Sequence, residues 1–391
     1  MRKFFTVLFI VILGGVYYYF FPGVPEEEPG SEVFPVVKAE NWHTFRGDRG
    51  LTGRVPGGIP GPVELLWEYE TGGTIKSSPV IDSGRVYIGS NDSKLYALKL
   101  ETGEKLWSFE ADGPLEASPL FVNNSLIISS MRGSIYSVGA DTGKPSWVHK
   151  TGSRITASAN IASSSGAEYA VVGTYESLLY GFELESGGPI WRHRTGSYIN
   201  STPALLDGNI LIGSCDGYFY ILNEETGSEA ASVKAGSYIA GSAAASDGAA
   251  VFGNHDGEIL CLDIGTGRVI WRFSEEDTGP FMYAPAVAEK RVIAASQNSK
   301  LYCLDFETGS KIWEFSTRGE LLGSPVSGDG RVLAASSQGW VHWINLSDGS
   351  ELLSYDTGSS ITTSPAVSGN IFLLGTAEGR VFAFAGEQEN Y

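Results

Sequence analysis

The sequence predicts an all-β fold, an eight-bladed β-propeller, from three observations. Glycine is abundant, with 50 copies in 391 residues, and many glycines together with many aromatic residues are typical of short strands joined by tight turns. A unit of about forty residues recurs along the chain, which is the length of one propeller blade. Turn-forming residues divide each unit into four strand-like segments, and four strands make one blade.

The repeat is clearest in the unit from Ser77 to Trp107. The residue at the Pro79 position of this unit recurs at spacings of 40, 40, 44, 40, 42, 40 and 40 residues. The members of this column are Pro79, Pro119, Ala159, Pro203, Ala243, Pro285, Pro325 and Pro365. The single four-residue excess falls in the polar stretch 163–166, which we interpret as a surface loop insertion. The sequence therefore predicts eight blades.

The eighth unit lacks a fourth strand, because the pattern stops near Gly386. A matching fourth-strand segment, residues 64–69 with Trp67 at the tryptophan position, instead precedes the first unit. We expect this N-terminal strand to pair with the eighth blade and close the ring, which would remove an exposed sheet edge.

The N-terminus predicts one transmembrane helix. Residues 4–21 are uncharged and mostly apolar and follow Arg2 and Lys3; as a helix they would extend about 27 Å, close to the thickness of a bilayer core of about 30 Å. An uncleaved anchor is our interpretation, and removal by signal peptidase is the alternative. The positive residues before the span place the rest of the chain on the extracytoplasmic side, in the periplasm or at the cell surface.

Three regions follow from these patterns: an anchor or uncleaved signal at 1–22, an acidic Pro/Gly-rich linker at 23–42, and the propeller at 43–391. The chain has 27 basic and 45 acidic residues, a formal charge of −18. Nucleic-acid binding is not expected, because it requires a basic surface. The three cysteines lack the spacing of a metal site.

The repeated columns resemble a known family. The patterns G-x-I/L-x-x-SP, G-x-V/I-x-x-GS-x-DG and LYAL-x-x-x-TG-x-x-x-W resemble the PQQ-like (pyrroloquinoline quinone) repeat, over roughly residues 43–386, and Phe45-Arg46-Gly47 resembles the FRG segment that often precedes such propellers. The resemblance implies that docking tryptophans tie adjacent blades together. These are Trp67, Trp107, Trp147, Trp191, Trp271 and Trp313. Blades four and seven lack this tryptophan. Ala231 or Ser232 takes its position in blade four, and Leu353 or Ser354 takes it in blade seven, so we expect looser packing between blades there.

Relatives of this kind include quinoprotein dehydrogenases, which hold pyrroloquinoline quinone and calcium at the propeller axis, and non-enzymatic scaffolds such as the outer-membrane assembly factor BamB. The fold does not choose between them. The residue three before each Pro79-type position should face the channel, and Lys76, Glu116 and Asn200 are the polar members that bear on this choice. A quinone-calcium site needs several carboxylate and amide oxygens. We therefore predict no catalytic, metal or cofactor-binding residue, and we expect Lys76 and Glu116 to pair with each other.

The candidate partner-binding face is formed by the loops that lead into the innermost strands, and we expect blades three to six to present these loops side by side. It comprises Arg154, Tyr198, Tyr238, Phe281, Tyr283 and Glu320. Exposed Tyr and Arg are typical interface anchors, and packing between repeats is the alternative. The sequence favours a non-enzymatic, membrane-anchored, BamB-like protein-binding scaffold. The alternatives are a sensor domain for a ligand or polysaccharide and a PQQ-dependent dehydrogenase.

Overall fold

The structure, a computed structural model, describes residues 41–61 and 63–386. These residues form 32 β-strands and contain no helix. The predicted span at 4–21 and most of the linker lie outside the described residues. Within the described part, no helix has the length and apolar character needed to cross a membrane.

The strands form eight antiparallel four-stranded sheets, each running from the channel to the rim. The first blade consists of β2 (Val80–Asp82), β3 (Arg85–Gly89), β4 (Lys94–Lys99) and β5 (Lys105–Glu110). The second consists of β6 (Leu120–Val122), β7 (Ser125–Ser129), β8 (Ser134–Gly139) and β9 (Pro145–Lys150). The third consists of β10 (Asn160–Ser164), β11 (Ala167–Gly173), β12 (Leu178–Glu183) and β13 (Pro189–Arg194). The fourth consists of β14 (Ala204–Leu206), β15 (Asn209–Gly213), β16 (Tyr218–Asn223) and β17 (Glu229–Lys234).

The remaining blades repeat this order. The fifth consists of β18 (Ala244–Ser246), β19 (Ala249–Gly253), β20 (Ile259–Asp263) and β21 (Arg268–Phe273). The sixth consists of β22 (Ala286–Ala288), β23 (Arg291–Ser296), β24 (Lys300–Asp305) and β25 (Lys311–Ser316). The seventh consists of β26 (Val326–Gly328), β27 (Arg331–Ala335), β28 (Trp340–Asn345) and β29 (Glu351–Asp356). The eighth consists of β30 (Ala366–Ser368), β31 (Ile371–Gly375), β32 (Arg380–Gly386) and the N-terminal strand β1 (Val63–Glu70).

The first strand of the described chain thus supplies the outer strand of the last blade. β1 pairs with β32 from Val63↔Gly386 to Glu70↔Arg380, with a register shift between Leu65 and Trp67. The innermost strands β30 and β2 lie in contact, as do those of the successive blades from β2 to β26. Both faces of each sheet are covered by neighbouring blades, which explains why the central strands are almost continuously apolar and buried.

The four-residue excess in the third blade is not a loop, contrary to the sequence interpretation. Ser163 and Ser164 belong to β10, and Ser164 pairs with Ala167. Only Ser165 and Gly166 form the turn, both with positive φ, of 51° and 85°. A two-residue turn with positive φ at both positions fits the twist of a hairpin, so the extra residues lengthen the hairpin by further strand pairing.

A segment that we call the strap, residues 42–61, crosses one end of the ring. Its backbone hydrogen-bonds in turn to the innermost strands of blades one, two, four, five, six and seven. Arg46 lies at its centre and is buried. The guanidinium donates to the carbonyl oxygens of Pro325 at 2.6 Å and Pro285 at 2.8 Å, and to that of Leu51 at 3.1 Å. The strap therefore fastens several blades together at this end, which we call the strap face; the opposite end is the loop face.

Candidate functional site

The central channel is lined by alternate residues of the segments that lead into the innermost strands. Side chains alternate along an extended chain, so the Lys76 and Ser78 positions of each blade both face the axis. The cavity has a volume of about 220 Å³, and Lys76, Glu116 and Asn200 are among the residues that line it. Phe45 of the strap also lines it. The channel is therefore covered at the strap face.

Lys76 and Glu116 form an ion pair, with the Lys76 Nζ and a Glu116 carboxylate oxygen 2.9 Å apart. The Asn91 amide donates weakly to the same oxygen, at 3.4 Å. Glu116 is mostly buried, while half of the Lys76 side chain is exposed. The pairing satisfies both charges internally, as the sequence had suggested.

Two further polar groups in the channel are incompletely satisfied. The Thr156 hydroxyl oxygen and the Asn200 side-chain oxygen are buried without a hydrogen-bond partner among the described residues. The Asn200 amide nitrogen lies 3.5 Å from the Cys215 sulfur, which is a weak acceptor. On the other side of the channel the same column is apolar, with Ala240, Met282 and Leu322.

A ring of hydroxyl groups lies one layer deeper, and sequence reasoning missed it. In six of the eight junctions, the backbone N–H of one blade donates to the hydroxyl oxygen of the next, at 2.8–3.1 Å. The ring residues are Ser78, Ser118, Ser158, Thr202, Ser242, Ser324 and Ser364, all buried. Ala284 interrupts the ring in blade six. The serine of the repeated Ser-Pro pair, two residues from the predicted axial column, was the signal that could have revealed it.

The axial residues do not fit pyrroloquinoline quinone with calcium. A calcium ion takes six to eight oxygen ligands, several of them carboxylates, whereas the channel holds one carboxylate, Glu116, which is bound to Lys76. Within residues 41–61 and 63–386, no three His, Cys, Asp or Glu side chains come together in a way that could hold a metal ion. The donor set that the dehydrogenase alternative requires is therefore missing from this axis.

The loop face carries a ladder of stacked side chains across blades three and four. The Arg154 guanidinium carbon lies 5.0 Å from the centre of the Tyr175 ring. Tyr175 stacks on Tyr198, with ring centres 5.2 Å apart and an interplanar angle of 21°. Tyr198 is 52% exposed. Tyr175 was not predicted from the sequence, because it lies in the turn between the second and third strands and only the fold brings it beside Tyr198.

Similar contacts continue around the loop face. In blade five, Tyr238 stacks on His255 at 4.2 Å. In blade seven, the Arg318 guanidinium lies 4.0 Å from the centre of the Trp340 ring, and Glu320 is exposed nearby in sequence. Cation–π and stacking contacts hold these side chains in fixed positions at the surface.

Two residues that the sequence assigned to the partner-binding face, Phe281 and Tyr283, lie elsewhere in the structure. Phe281 is only 1% exposed, because it occupies the column of Ile75, Ile199 and Ile239, which packs between blades. Gly253 leaves the space it needs, since a Cβ there would lie 2.2 Å from the Phe281 Cβ. Tyr283 lines the channel; burial, and secondly the charge of Glu320, raises the pKa of its hydroxyl.

The tryptophans of the outer strands contact the following blade. Five of the six donate from the indole nitrogen to a backbone carbonyl there, at 2.7–2.9 Å. Trp191 forms no hydrogen bond of normal geometry from its indole nitrogen, because the corresponding carbonyl, that of Glu224, accepts the Tyr169 hydroxyl. In blade four, Ala231 takes the tryptophan position, and the space beside Gly267 is correspondingly wider. In blade seven, the register places Leu353 there.

A surface groove of about 880 Å³ lies on the strap face beside blades three to five. Its buried carboxylate, Glu224, is bound by Arg49 and by the backbone and side chain of Ser163. Asp48 accepts hydrogen bonds from Thr52. These carboxylates hold the strap and the long hairpin of blade three in place.

The fold defines the class: an eight-bladed propeller built from PQQ-like repeats. A family described as outer membrane protein assembly factor BamB matches residues 64–170, 131–279 and 255–388. These matches cover most of the chain, so the chain belongs to this family. Comparison with curated protein sequences gives no significant match.

Solved structures share the fold at low sequence identity. BamB from Moraxella catarrhalis is 19% identical, with a TM-score of 0.72 over 83% of this chain and 100% of that one. The computationally designed protein Ika8 is also 19% identical, with a TM-score of 0.73 over the same shares. A europium-containing methanol dehydrogenase is 12% identical, with a TM-score of 0.73 over 88% of this chain and 98% of that one. At these identities the likeness establishes the fold alone.

Proposed function

We propose that this protein is a non-enzymatic scaffold of the cell envelope that binds a protein partner through its loop face. The observation that carries the proposal is the ladder Arg154–Tyr175–Tyr198. Large aromatic and arginine side chains held rigid at a surface contribute most of the binding energy in many interfaces. Because the ladder is already ordered by stacking, binding a partner would cost little side-chain entropy.

Two further observations support a binding role. The family to which the chain belongs is described as an assembly factor, and the axial residues lack the ligands for quinone catalysis. We propose that residues 4–21 anchor the chain in a membrane, with the propeller in the periplasm or at the cell surface, because they form an uncharged apolar run after two basic residues. We also propose that β1 closes the ring, which its pairing with β32 supports.

Site-specific photocrosslinking tests the partner-binding face. A photoreactive phenylalanine analogue would replace Tyr198 in the full chain, expressed in its native membranes, and adducts would be identified by mass spectrometry. The matched control places the same group at Asp207, which lies in the same blade but in a turn at the strap face. We expect a specific protein adduct at position 198 and not at 207. Identical adducts at both positions, or none at 198, would contradict the proposal.

A further inference from the structure

The channel contains acceptors that no described residue satisfies. The Thr156 hydroxyl oxygen and the Asn200 side-chain oxygen are buried and unpartnered, and so is the Asn91 side-chain oxygen beside Glu116. An unsatisfied buried polar group costs about 1–3 kcal/mol. Three such atoms near one cavity are therefore unusual, and a molecule with hydrogen-bond donors would relieve them.

The same channel also offers donors. The ring hydroxyls accept backbone N–H groups through their oxygen atoms, and a hydroxyl group has a proton to donate as well. No acceptor within residues 41–61 and 63–386 receives the protons of these buried ring hydroxyls. A molecule in the channel would therefore meet donors from the ring and acceptors from Thr156 and Asn200.

The charges in the channel exclude a strongly ionic ligand. Lys76 and Glu116 neutralise each other at 2.9 Å, so an anion finds no unpaired cation among the described lining residues and a cation finds no unpaired carboxylate. One side of the channel is apolar, with Met282 and Leu322, and the rings of Phe45 and Tyr283 also line it. The lining is thus amphipathic and neutral.

The volume of the channel limits the size of the ligand that it can bind. A volume of about 220 Å³ equals that of about seven water molecules in the liquid, and it is below the range of typical drug-sized pockets. Hydroxyl groups donate and accept at once, and the C–H faces of a sugar ring pack against aromatic rings. We propose that the channel binds one neutral polyhydroxylated ring, either a free monosaccharide or the end residue of a glycan. This site is separate from the protein-binding role proposed for the loop face.

Calorimetric titration of the full chain tests the site, with D-glucose, D-galactose, D-mannose and N-acetylglucosamine as probes. We expect at least one sugar to bind at a stoichiometry of one, and Thr156→Val and Asn200→Leu each to weaken its affinity about tenfold, the equivalent of about 1.4 kcal/mol. The variant with the photoreactive analogue at position 198 should retain sugar binding, and adding Thr156→Val to that variant should leave its partner adduct unchanged, so the two proposals fail separately. No binding by any of the four sugars, or an affinity of both channel variants equal to that of the parent protein, would overturn the inference.

A stability measurement excludes misfolding as the cause of lost binding. Because the Thr156 hydroxyl oxygen has no protein partner, Thr156→Val without sugar should unfold at the same temperature as the parent protein or at a higher one. Lower stability of the variant would mean that the hydroxyl holds a structural water, and this result would contradict a ligand site. A trisaccharide of the sugar that binds then distinguishes the two sources, since a chain-end site accepts it and a site for free sugar does not.

Discussion

The strap face and the loop face differ in how their charged and aromatic side chains are held. At the strap face, Arg46 is buried with its donors directed at backbone carbonyls, and Glu224 is bound by Arg49 and Ser163. Among the described residues, the buried oxygens of Thr156 and Asn200 lack hydrogen-bond partners, as does the Thr44 hydroxyl in the strap. On the loop face, Tyr198 is largely exposed and is held by stacking. The difference indicates that the strap face uses its charged groups to fasten blades together, whereas the loop face presents stacked aromatic side chains at the surface.

The largest expected effect comes from removing the strap's central charge. Arg46→Met should lower the free energy of unfolding by about 3 kcal/mol, because it leaves several buried carbonyls without donors. Urea denaturation measures the loss. Burial lowers the pKa of the Arg46 guanidinium to about 9, and Asp48 partly opposes this, so the group stays charged at neutral pH and the loss should appear there.

The control is Arg54→Met, on the same strap but exposed and without a side-chain hydrogen bond among the described residues. Its unfolding free energy should change by no more than about 0.5 kcal/mol. Equal effects of the two substitutions would show that the strap does not depend on its buried charge.

A smaller effect separates two docking tryptophans. Trp67→Phe removes the hydrogen bond to Leu100 that joins β1 to the first blade, whereas Trp191→Phe removes no such bond. Both lose the same volume, so the difference between them should be about 1 kcal/mol in unfolding free energy, with Trp67 the more costly. If Trp191→Phe were as destabilising as Trp67→Phe, the indole hydrogen bonds between blades would make no measurable contribution to the free energy of unfolding.

The smallest effect concerns acid sensitivity toward the loop face. His342 is buried, its Nδ1 lies 2.7 Å from Glu351, and Nε2 accepts the Arg318 N–H at 3.4 Å. Burial, the largest influence, lowers its pKa, which Glu351 partly offsets. The folded state therefore favours neutral imidazole; this contribution is complete above the unfolded pKa of about 6.5 and is lost as the pH falls below it.

The temperature of unfolding should fall as the pH is lowered from 7.5 to 5, because the stabilisation by neutral His342 is lost. In His342→Gln this fall should be smaller, because glutamine does not titrate. The exposed His255 serves as the control, and His255→Gln should behave as the parent protein. Hydrogen exchange should locate the acid-induced opening at 317–320 rather than in the strap. If acid increased the rate of hydrogen exchange equally at both faces, the contrast between the two faces would be wrong.

The sequence predicted the architecture well because the repeat is local and periodic. The Pro79 column predicted eight blades, and the eighth repeat's lack of a fourth-strand pattern predicted that residues 64–69 pair with it; in the structure β1 pairs with β32. The axial position of Lys76, Glu116 and Asn200 followed from the same register. The sequence did not reveal the direction of each side chain: Phe281 is buried between blades, whereas the adjacent Met282 and Tyr283 line the channel.

What the sequence by itself determined is the set of repeating columns, since strand alternation and turn residues act over short distances. Only the tertiary structure decided which columns meet across blades. Tyr175 stacks on Tyr198, a hydroxyl ring surrounds the axis, and Arg46 reaches carbonyls more than 200 residues away. These contacts depend on the closure of the ring and the path of the strap, and no single repeat contains that information.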